Sequence, residues 1–316
     1  MSKISRRSFV KKSSKAAMAL PLIGTVGNSL YTPYFIDRLP VHIFSKHLQF
    51  LDFKEVGQKA TELGFAGVDL TIRPNGHVKP EEVKEVLPAA LSAIRDGGSK
   101  CRIITTAVES AANEIDRNLL KIASENGIDY YRCNWFHYPK NGDMATALDG
   151  FADQVAGLSR SNKELGLIGC YQNHAGTLAG ASPWEVKRLL SDAEKPAFGV
   201  QFDIRHAKAE AGLSWENSLR LLKNDIKTIV LKDFIWKKKE DKWMIENVPI
   251  GEGMVDFKKY FGLLKKYKIN APAILHLEYG LGGAEHGKTT LEVPSETVYN
   301  AMRKDLKRIQ ELWAES

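Results

Sequence analysis

Eight short apolar runs, each separated from the next by a stretch of helical periodicity, constrain this chain more than any single motif. They lie at Val41 to Phe44, Ala66 to Ile72, Cys101 to Ala107, Ile128 to Asn134, Leu165 to Gln172, Ala197 to Asp203, Lys227 to Phe234 and Ala271 to Glu278. Their length and β-branched content suit strands buried on both faces. Between them, spacings such as Phe53-Val56-Ala60-Leu63 and Leu119-Ile122-Ala123 draw an apolar stripe along a helix. Pro80-Glu81-Glu82, Ser182-Pro183-Trp184-Glu185 and Pro294-Ser295-Glu296 signal helix starts, and Gly64 and Gly127 signal stops. Eight strands alternating with eight helices predict an α/β protein, a single-domain (β/α)8 TIM barrel over residues 40–316. An open doubly wound sheet seldom needs eight units, and no Gly-rich phosphate turn follows the first strand here.

The fold directs attention to the C-terminal ends of the strands, where such barrels carry their chemistry. Of the eight histidines, only His42 lies near the start of a strand. His47, His77, His137, His174, His206, His276 and His286 fall at strand ends or in the loops after them, and none is on a predicted helix. One loop histidine is ordinary surface decoration; seven on one rim point to a site.

Strand alternation sorts the inward groups. Cys170, Gln172 and His174 share one face of the fifth strand; Gln201, Asp203 and Arg205 share one on the sixth if that strand runs so far. Val230 and Lys232 do so on the seventh, and Ile274, His276 and Glu278 on the eighth. Gln172, Asp203, Lys232, His276 and Glu278 would then form an upper layer able to move protons on a polar substrate. The plainer reading of Lys232 is a structural ion pair with Asp203 or Glu278. Lys46 after the first strand, Arg73 and His77 after the second and Trp135 after the fourth are the substrate-facing candidates: cations and imidazoles for hydroxyls or an anion, an indole for a sugar face. The charged stretch from Trp236 to Glu246 reads as a solvated hairpin or lid, and Pro249-Ile250-Gly251-Glu252-Gly253 would let Glu252 swing near the rim. Gly280 to Gly287 is glycine-rich but has no P-loop ending.

The order of Tyr171-Gln172-Asn173-His174, Phe202-Asp203-Ile204-Arg205-His206, Leu231-Lys232-Asp233-Phe234, Pro249-Ile250-Gly251-Glu252-Gly253 and His276-Leu277-Glu278-Tyr279 resembles the xylose-isomerase-like barrels grouped as sugar phosphate isomerases and epimerases. The likeness runs from residue 40 to residue 313. It implies a divalent cation (Mn, Mg or Zn) held by a glutamate, an aspartate, a histidine and a second glutamate on the last four strands, with the glutamates exchanging protons beside a sugar carbonyl. Asp203 and Glu278 match two of those ligands; Gln172 and Val230 stand where the first glutamate and the histidine are expected. Gln172 offers a carbonyl oxygen and Val230 offers nothing, so the metal set Asp203, Glu278 and Gln172 is incomplete. Lys232 is an alternative, an ammonium that stabilises an enolate where relatives use the cation. Gln172 cannot exchange protons, so Glu278 would need His174, His206 or Lys232 as a partner. By the same resemblance His206 contacts substrate hydroxyls.

Of the 45 Lys and Arg residues, six lie in residues 1–30 with no acid among them, and the rest of the chain nearly balances its 38 Asp and Glu. A body without a basic excess has no general reason to seek nucleic acid, which counts against the related endonuclease branch. Ser5-Arg6-Arg7-Ser8-Phe9-Val10-Lys11 resembles a twin-arginine export signal with Val10 for Leu, and the apolar stretch Ala16 to Val26 is too short for stable membrane insertion. The expected layout is a signal at 1–30, a linker at 31–39 and the barrel at 40–316, with the product exported to the periplasm or beyond. Cys101, Cys133 and Cys170 sit in strand-like runs and read as buried thiols. The function expected is a sugar isomerase or epimerase working by proton transfer next to the carbonyl of a small carbohydrate. A lyase on a 3-keto glycoside and a non-catalytic carbohydrate-binding barrel are the alternatives.

Overall fold

The computed structural model describes residues 38–316, so the signal at 1–30 and all but the end of the 31–39 linker lie outside the described residues. Eight parallel strands close into a barrel: β1 (Val41–Phe44), β2 (Gly67–Ile72), β3 (Cys101–Thr106), β4 (Tyr130–Arg132), β5 (Ile168–Gln172), β6 (Phe198–Asp203), β7 (Ile226–Leu231) and, after an inserted hairpin, β10 (Ala273–Leu275), which pairs with β7 and β1. The hairpin strands are β8 (Asp233–Lys239) and β9 (Lys242–Val248), an antiparallel pair with a charged, solvated outer end, as expected for that stretch.

Among the described residues the α-helices are α1 (Phe53–Leu63), α2 (Val83–Asp96), α3 (Glu114–Glu125), α4 (Met144–Leu165), α5 (Pro183–Leu189), α6 (Ile204–Ala211), α7 (Trp215–Leu222), α8 (Phe257–Lys266) and α9 (Ser295–Ala314). Their count corrects the simple eight-and-eight expectation, because two helices, α6 and α7, follow β6. The break falls at Gly212, whose φ of 53° ends α6 before the chain re-enters a helix. α1 and α5 begin with complete capping boxes, Asp52 with Glu55 and Ser182 with Glu185, each of which contributes about 1 kcal/mol. Among the described residues, no helix is long and apolar enough to cross a membrane.

The apolar residues divide into two clusters. The larger lies between the barrel wall and the helices, with Tyr131, Tyr171, Phe202 and Leu275 facing outward from their strands. The smaller, Phe44, Ile103 and Ile274 with Tyr130 packed on it, uses the opposite faces and fills the barrel interior. Strand alternation therefore plugs the barrel with apolar side chains and sends the next inward position on each strand up to the rim. Cys133 and Cys170 are buried free thiols, and Cys101 is half-buried.

Two boundaries differ from expectation with consequences for the site. β6 stops at Asp203 because its carboxylate Oδ1 accepts from the His206 backbone N–H (3.0 Å) and caps α6. Arg205 and His206 therefore lie on a helix and not on a strand or loop. β7 stops at Leu231, and Asp233 starts the hairpin as an anchor: its carboxylate accepts from the backbone N–H groups of Gly251, Gly253 and Val255 at 3.0 to 3.1 Å. A side chain at Gly253 would fall on that carboxylate, which explains the glycine. Lys232 is thus held between a strand end and a latched loop.

Candidate active site

Above the apolar plug lies a cavity of about 110 Å³, whose floor and walls come from Phe44, Gln172, Lys232, His276 and Glu278 on one side and Arg73, Arg132 and Trp135 on the other. Lys46 and His174 complete its rim. Five of the strand-end groups expected from alternation, including Asp203 just beneath, thus converge.

Lys232 is the centre of the arrangement. Its Nζ stands 3.1 Å from Asp203 Oδ2, 3.1 Å from Glu278 Oε2 and 2.9 Å from His206 Nε2, with the lysine only 3% exposed. Asp203 is fully buried, and its Oδ2 also accepts from Gln172 Nε2 at 2.8 Å. Asn173 clamps the Asp203 backbone from both sides, accepting from its N–H (2.8 Å) and donating to its carbonyl (3.0 Å). Lys46 adds a second ammonium on Glu278 Oε1 at 3.1 Å. Burial pushes the Glu278 carboxyl up, but Lys232 and Lys46 outweigh it and hold the group well below the ordinary carboxylate range. Glu278 is therefore an anion that fixes two lysines, and a weak base.

The histidines separate by environment. His47 is a structural link: the Leu277 N–H donates to its Nε2 (2.9 Å), leaving Nδ1 to donate to the Ala284 carbonyl (3.1 Å). His77 bonds Ser45 Oγ (3.1 Å) and leans on Phe53, away from the cavity, so it does not join the substrate-facing set. His137 and His286 are exposed. His206 lies beneath the floor, buried and outside the cavity lining, with Nδ1 3.0 Å from Arg205 Nη1 and Nε2 2.9 Å from Lys232 Nζ; both neighbours donate, so the neutral ring accepts from one of them, and no substrate hydroxyl reaches it. Arg205 itself turns to Asn247 of the hairpin, at 2.7 and 3.1 Å.

His174 and His276 remain at the cavity. His174 Nδ1 lies 2.8 Å from the Ala175 carbonyl, which can only accept, so the proton sits on Nδ1 and the lone pair on Nε2. Burial, with Lys232 nearby, lowers its basicity and keeps the ring neutral at neutral pH. His276 stacks on Phe44 (4.3 Å between centroids), is pushed by burial, against the pull of Glu278, down to about 4, and has Nδ1 3.7 Å from Glu278 Oε1. Trp135 packs edge-on to His174 at 4.6 Å and carries the Arg132 guanidinium 4.1 Å over its ring. Arg132 escaped the reading of the sequence, although an arginine inside the apolar run Tyr130-Tyr131-Arg132-Cys133 was a visible signal. Glu252 is not at the rim: it pairs with Lys304 on the surface at 2.6 Å.

The donor set does not fit a divalent cation. A cation needs converging anionic oxygens or imidazole lone pairs, and here an ammonium already stands among Asp203, Glu278 and His206. Gln172 turns its amide nitrogen inward to Asp203, Val230 is a buried hydrocarbon, and among the described residues no three His, Cys, Asp or Glu side chains gather as ligands.

A closed parallel barrel with its ionisable groups gathered over the C-terminal strand ends belongs to the broad class of (β/α)8 proteins whose sites are built on the rim. The chain belongs to the xylose isomerase-like TIM barrel family, whose model matches residues 57–293. Among solved structures it is similar to D-psicose 3-epimerase from Clostridium cellulolyticum H10, with a TM-score of 0.65 at 12% identity over 87% of this chain and 99% of that one. It is also similar to a xylose isomerase-like TIM barrel protein from Mycobacterium smegmatis, solved in complex with magnesium (TM-score 0.64, 11% identity, 87% and 98% covered). A third is the probable 3-DHS dehydratase from Bacillus anthracis (TM-score 0.62, 13% identity, 85% and 98% covered). At these identities the likeness is one of fold. No curated protein sequence matches the chain.

Proposed function

We propose that this protein is a sugar isomerase or epimerase that moves a proton next to a carbonyl, with the Lys232 ammonium performing the electrostatic work that a cation performs in other designs. The observation that carries this reading is the seat of Lys232 between Asp203 and Glu278, below a cavity that His174 lines as a neutral base. A proton leaves carbon beside a carbonyl only if the charge arriving on oxygen is stabilised, and a fixed ammonium in a water-poor site does that without reorganising. His174 Nε2 takes the proton from the hydroxyl-bearing carbon beside the carbonyl and, as imidazolium, returns it to the former carbonyl carbon, while the hydroxyl proton passes to the former carbonyl oxygen, which is isomerisation. Return to the same carbon from the opposite face is epimerisation and needs a second, protonated group across the cavity; His276 lines the cavity, but burial keeps it neutral at neutral pH, so isomerisation is the reaction these residues favour. Asp203, Gln172 and His206 act by positioning Lys232. The arginine pair near the N-terminus supports a companion proposal of export by the twin-arginine route, tested by whether cell fractionation of the full chain loses the exported pool when Arg6 and Arg7 are changed to Lys.

The direct experiment is solvent-deuterium incorporation into a panel of keto sugars, before and after exhaustive chelation. Expected is exchange at the carbon beside the carbonyl that survives chelation and is lost in Lys232→Met. No exchange with any sugar would overturn proton transfer; exchange abolished by chelation and restored by Mn, Mg or Zn would overturn the role of the lysine. Product analysis in the same reactions separates return of the proton from elimination, the lyase outcome.

A further inference from the structure

The β2 and β4 side of the cavity holds two guanidiniums, Arg73 and Arg132, that form no ion pair among the described residues. Arg132, on the inward face of β4, is 2% exposed; one Nη donates to the Thr106 carbonyl at 3.3 Å, and the other Nη has no hydrogen-bond partner. Arg73, at the end of β2, lies 5.6 Å over the Phe44 ring and is in no ion pair among the described residues. Burial pushes Arg132 down to about 10, and the neighbouring Arg73 guanidinium adds to that shift. Burial also lowers Arg73, against the attraction of Asp69 and Glu278. Asp69, the buried carboxyl on this side, accepts from Thr105 Oγ1 (2.8 Å), forms no ion pair with either arginine, and is itself pushed up to about 7 by burial. Among the described residues Glu278 is the one carboxylate that lines the cavity, and it is already paired with Lys46 and Lys232.

Buried guanidinium is costly without a partner, and a buried polar atom left unbonded is rare enough to require a reason. Here both arginines line the cavity that the proposed chemistry uses, Arg73 at its more accessible edge and Arg132 with its unpartnered Nη buried in the wall. Guanidinium forks match a planar carboxylate bidentately, whereas an ammonium acts as a point charge. Trp135 holds the Arg132 plane from behind, so the fork is oriented before anything binds.

We infer that the substrate is an acidic sugar whose carboxylate is received by Arg132 and Arg73, at the end of the cavity away from Lys232. This rests on the proton-transfer reading for the word substrate, but the anion site itself is read from binding alone. The carboxylate sets the orientation: with the acid group anchored at the β2 and β4 wall, the carbonyl end of a short sugar chain faces Lys232 and His174.

Binding is tested on the purified protein at constant ionic strength by thermal shift and calorimetry, with sodium glucuronate, sodium galacturonate and sodium gluconate as carboxylate probes, glucose as the uncharged control and inorganic phosphate as the alternative anion. The expected result is saturable binding of at least one carboxylate about 10- to 100-fold tighter than glucose, from charge-assisted hydrogen bonds to the two forks. Arg73→Gln, at the more accessible fork, and Arg132→Gln should each remove that preference. Arg132→Lys should not restore it, since the point charge cannot reproduce the fork. If Arg132→Gln fails to fold, Arg73→Gln alone decides the matter. Carboxylates binding no better than glucose, a preference that survives Arg73→Gln, or phosphate binding in their place would each overturn the inference. The deuterium-exchange experiment is read separately: carboxylate binding without exchange sinks the reaction and keeps the site, and exchange on neutral sugars alone does the reverse.

Discussion

The two walls of one cavity treat charge in opposite ways. On the β6, β7 and β10 side, Lys232 is surrounded by Asp203, Glu278 and His206, and every one of these groups is met by another. On the β2 and β4 side, Arg73 and Arg132 face the same space with no carboxylate against them, and Asp69 behind them leans on a threonine. A charge ringed by countercharges is fixed in position, and its removal strands its partners. A charge left unanswered is cheap to neutralise and gains when an anion arrives. The closed wall therefore suits a catalytic electrostatic element and the open wall suits recognition.

The largest effect should come from breaking the closed wall. Lys232→Met leaves two carboxylates facing each other in a dry site, and a stability loss of about 3–5 kcal/mol in urea denaturation is expected, with proton exchange reduced to background. Adding Asp203→Asn should recover part of that loss; a purely additive double variant would show that the two groups do not interact.

His174→Gln should separate chemistry from structure. The ring is only half-buried and bonds one backbone carbonyl, so stability should change by about 1 kcal/mol or less, while exchange falls about 10²- to 10⁴-fold. A rate within a few-fold of the parent protein, by the same exchange assay, would move the base elsewhere.

The two walls should also respond oppositely to pH. His276, with His42 at the barrel floor, binds a proton near the ordinary 6.5 when unfolded but only near about 4 when folded, so the unfolded chain holds more protons in between and stability falls as pH drops through that window. Asp69 is raised from 3.8 to about 7 on folding, so its contribution is present at low pH and is lost as pH rises towards 7. These contributions, on the order of 3 kcal/mol each, oppose one another unequally, because burial also lowers His77 to about 4, so the intact protein should gain stability from pH 4 to 6.5. Asp69→Asn should steepen that rise, and His276→Asn should make it shallower. Profiles parallel to that of the parent protein in thermal unfolding would refute both assignments. The smallest change should follow Glu252→Ala, which breaks one exposed pair with Lys304: under 1 kcal/mol, with exchange unaltered.

Much of the fold was legible before the structure. The run-and-stripe alternation marks all eight barrel strands, although Leu165 belongs to α4 and β10 is only three residues long. Inward faces could be read because the side-chain period of a strand is fixed, which is why Gln172, Lys232, His276 and Glu278 meet as expected. The same logic failed at Arg205 and His206, where Asp203 caps a helix immediately and the period changes from 2 to 3.6. Glu252 was misjudged because a flexible-looking Pro-Ile-Gly-Glu-Gly loop is in fact pinned by Asp233, and nothing local announces a carboxylate 18 residues upstream. His77 lies in the loop at the right end of the right strand but is captured by Ser45, which follows β1.

By itself the sequence determined the alternation of elements, hence the barrel, the plug of Phe44, Ile103 and Ile274, and the rim to which polar residues were sent. Those follow from periodicity, which every segment carries locally. Only the tertiary structure decided that the ion pair read for Lys232 would engage Asp203 and Glu278 together, and that Arg73 and Arg132 would share one wall of the cavity without an ion pair. Such outcomes depend on barrel closure, which brings strands dozens of residues apart to within about 3 Å at their side-chain tips, a distance at which a shift of one residue in register reverses which group is inside.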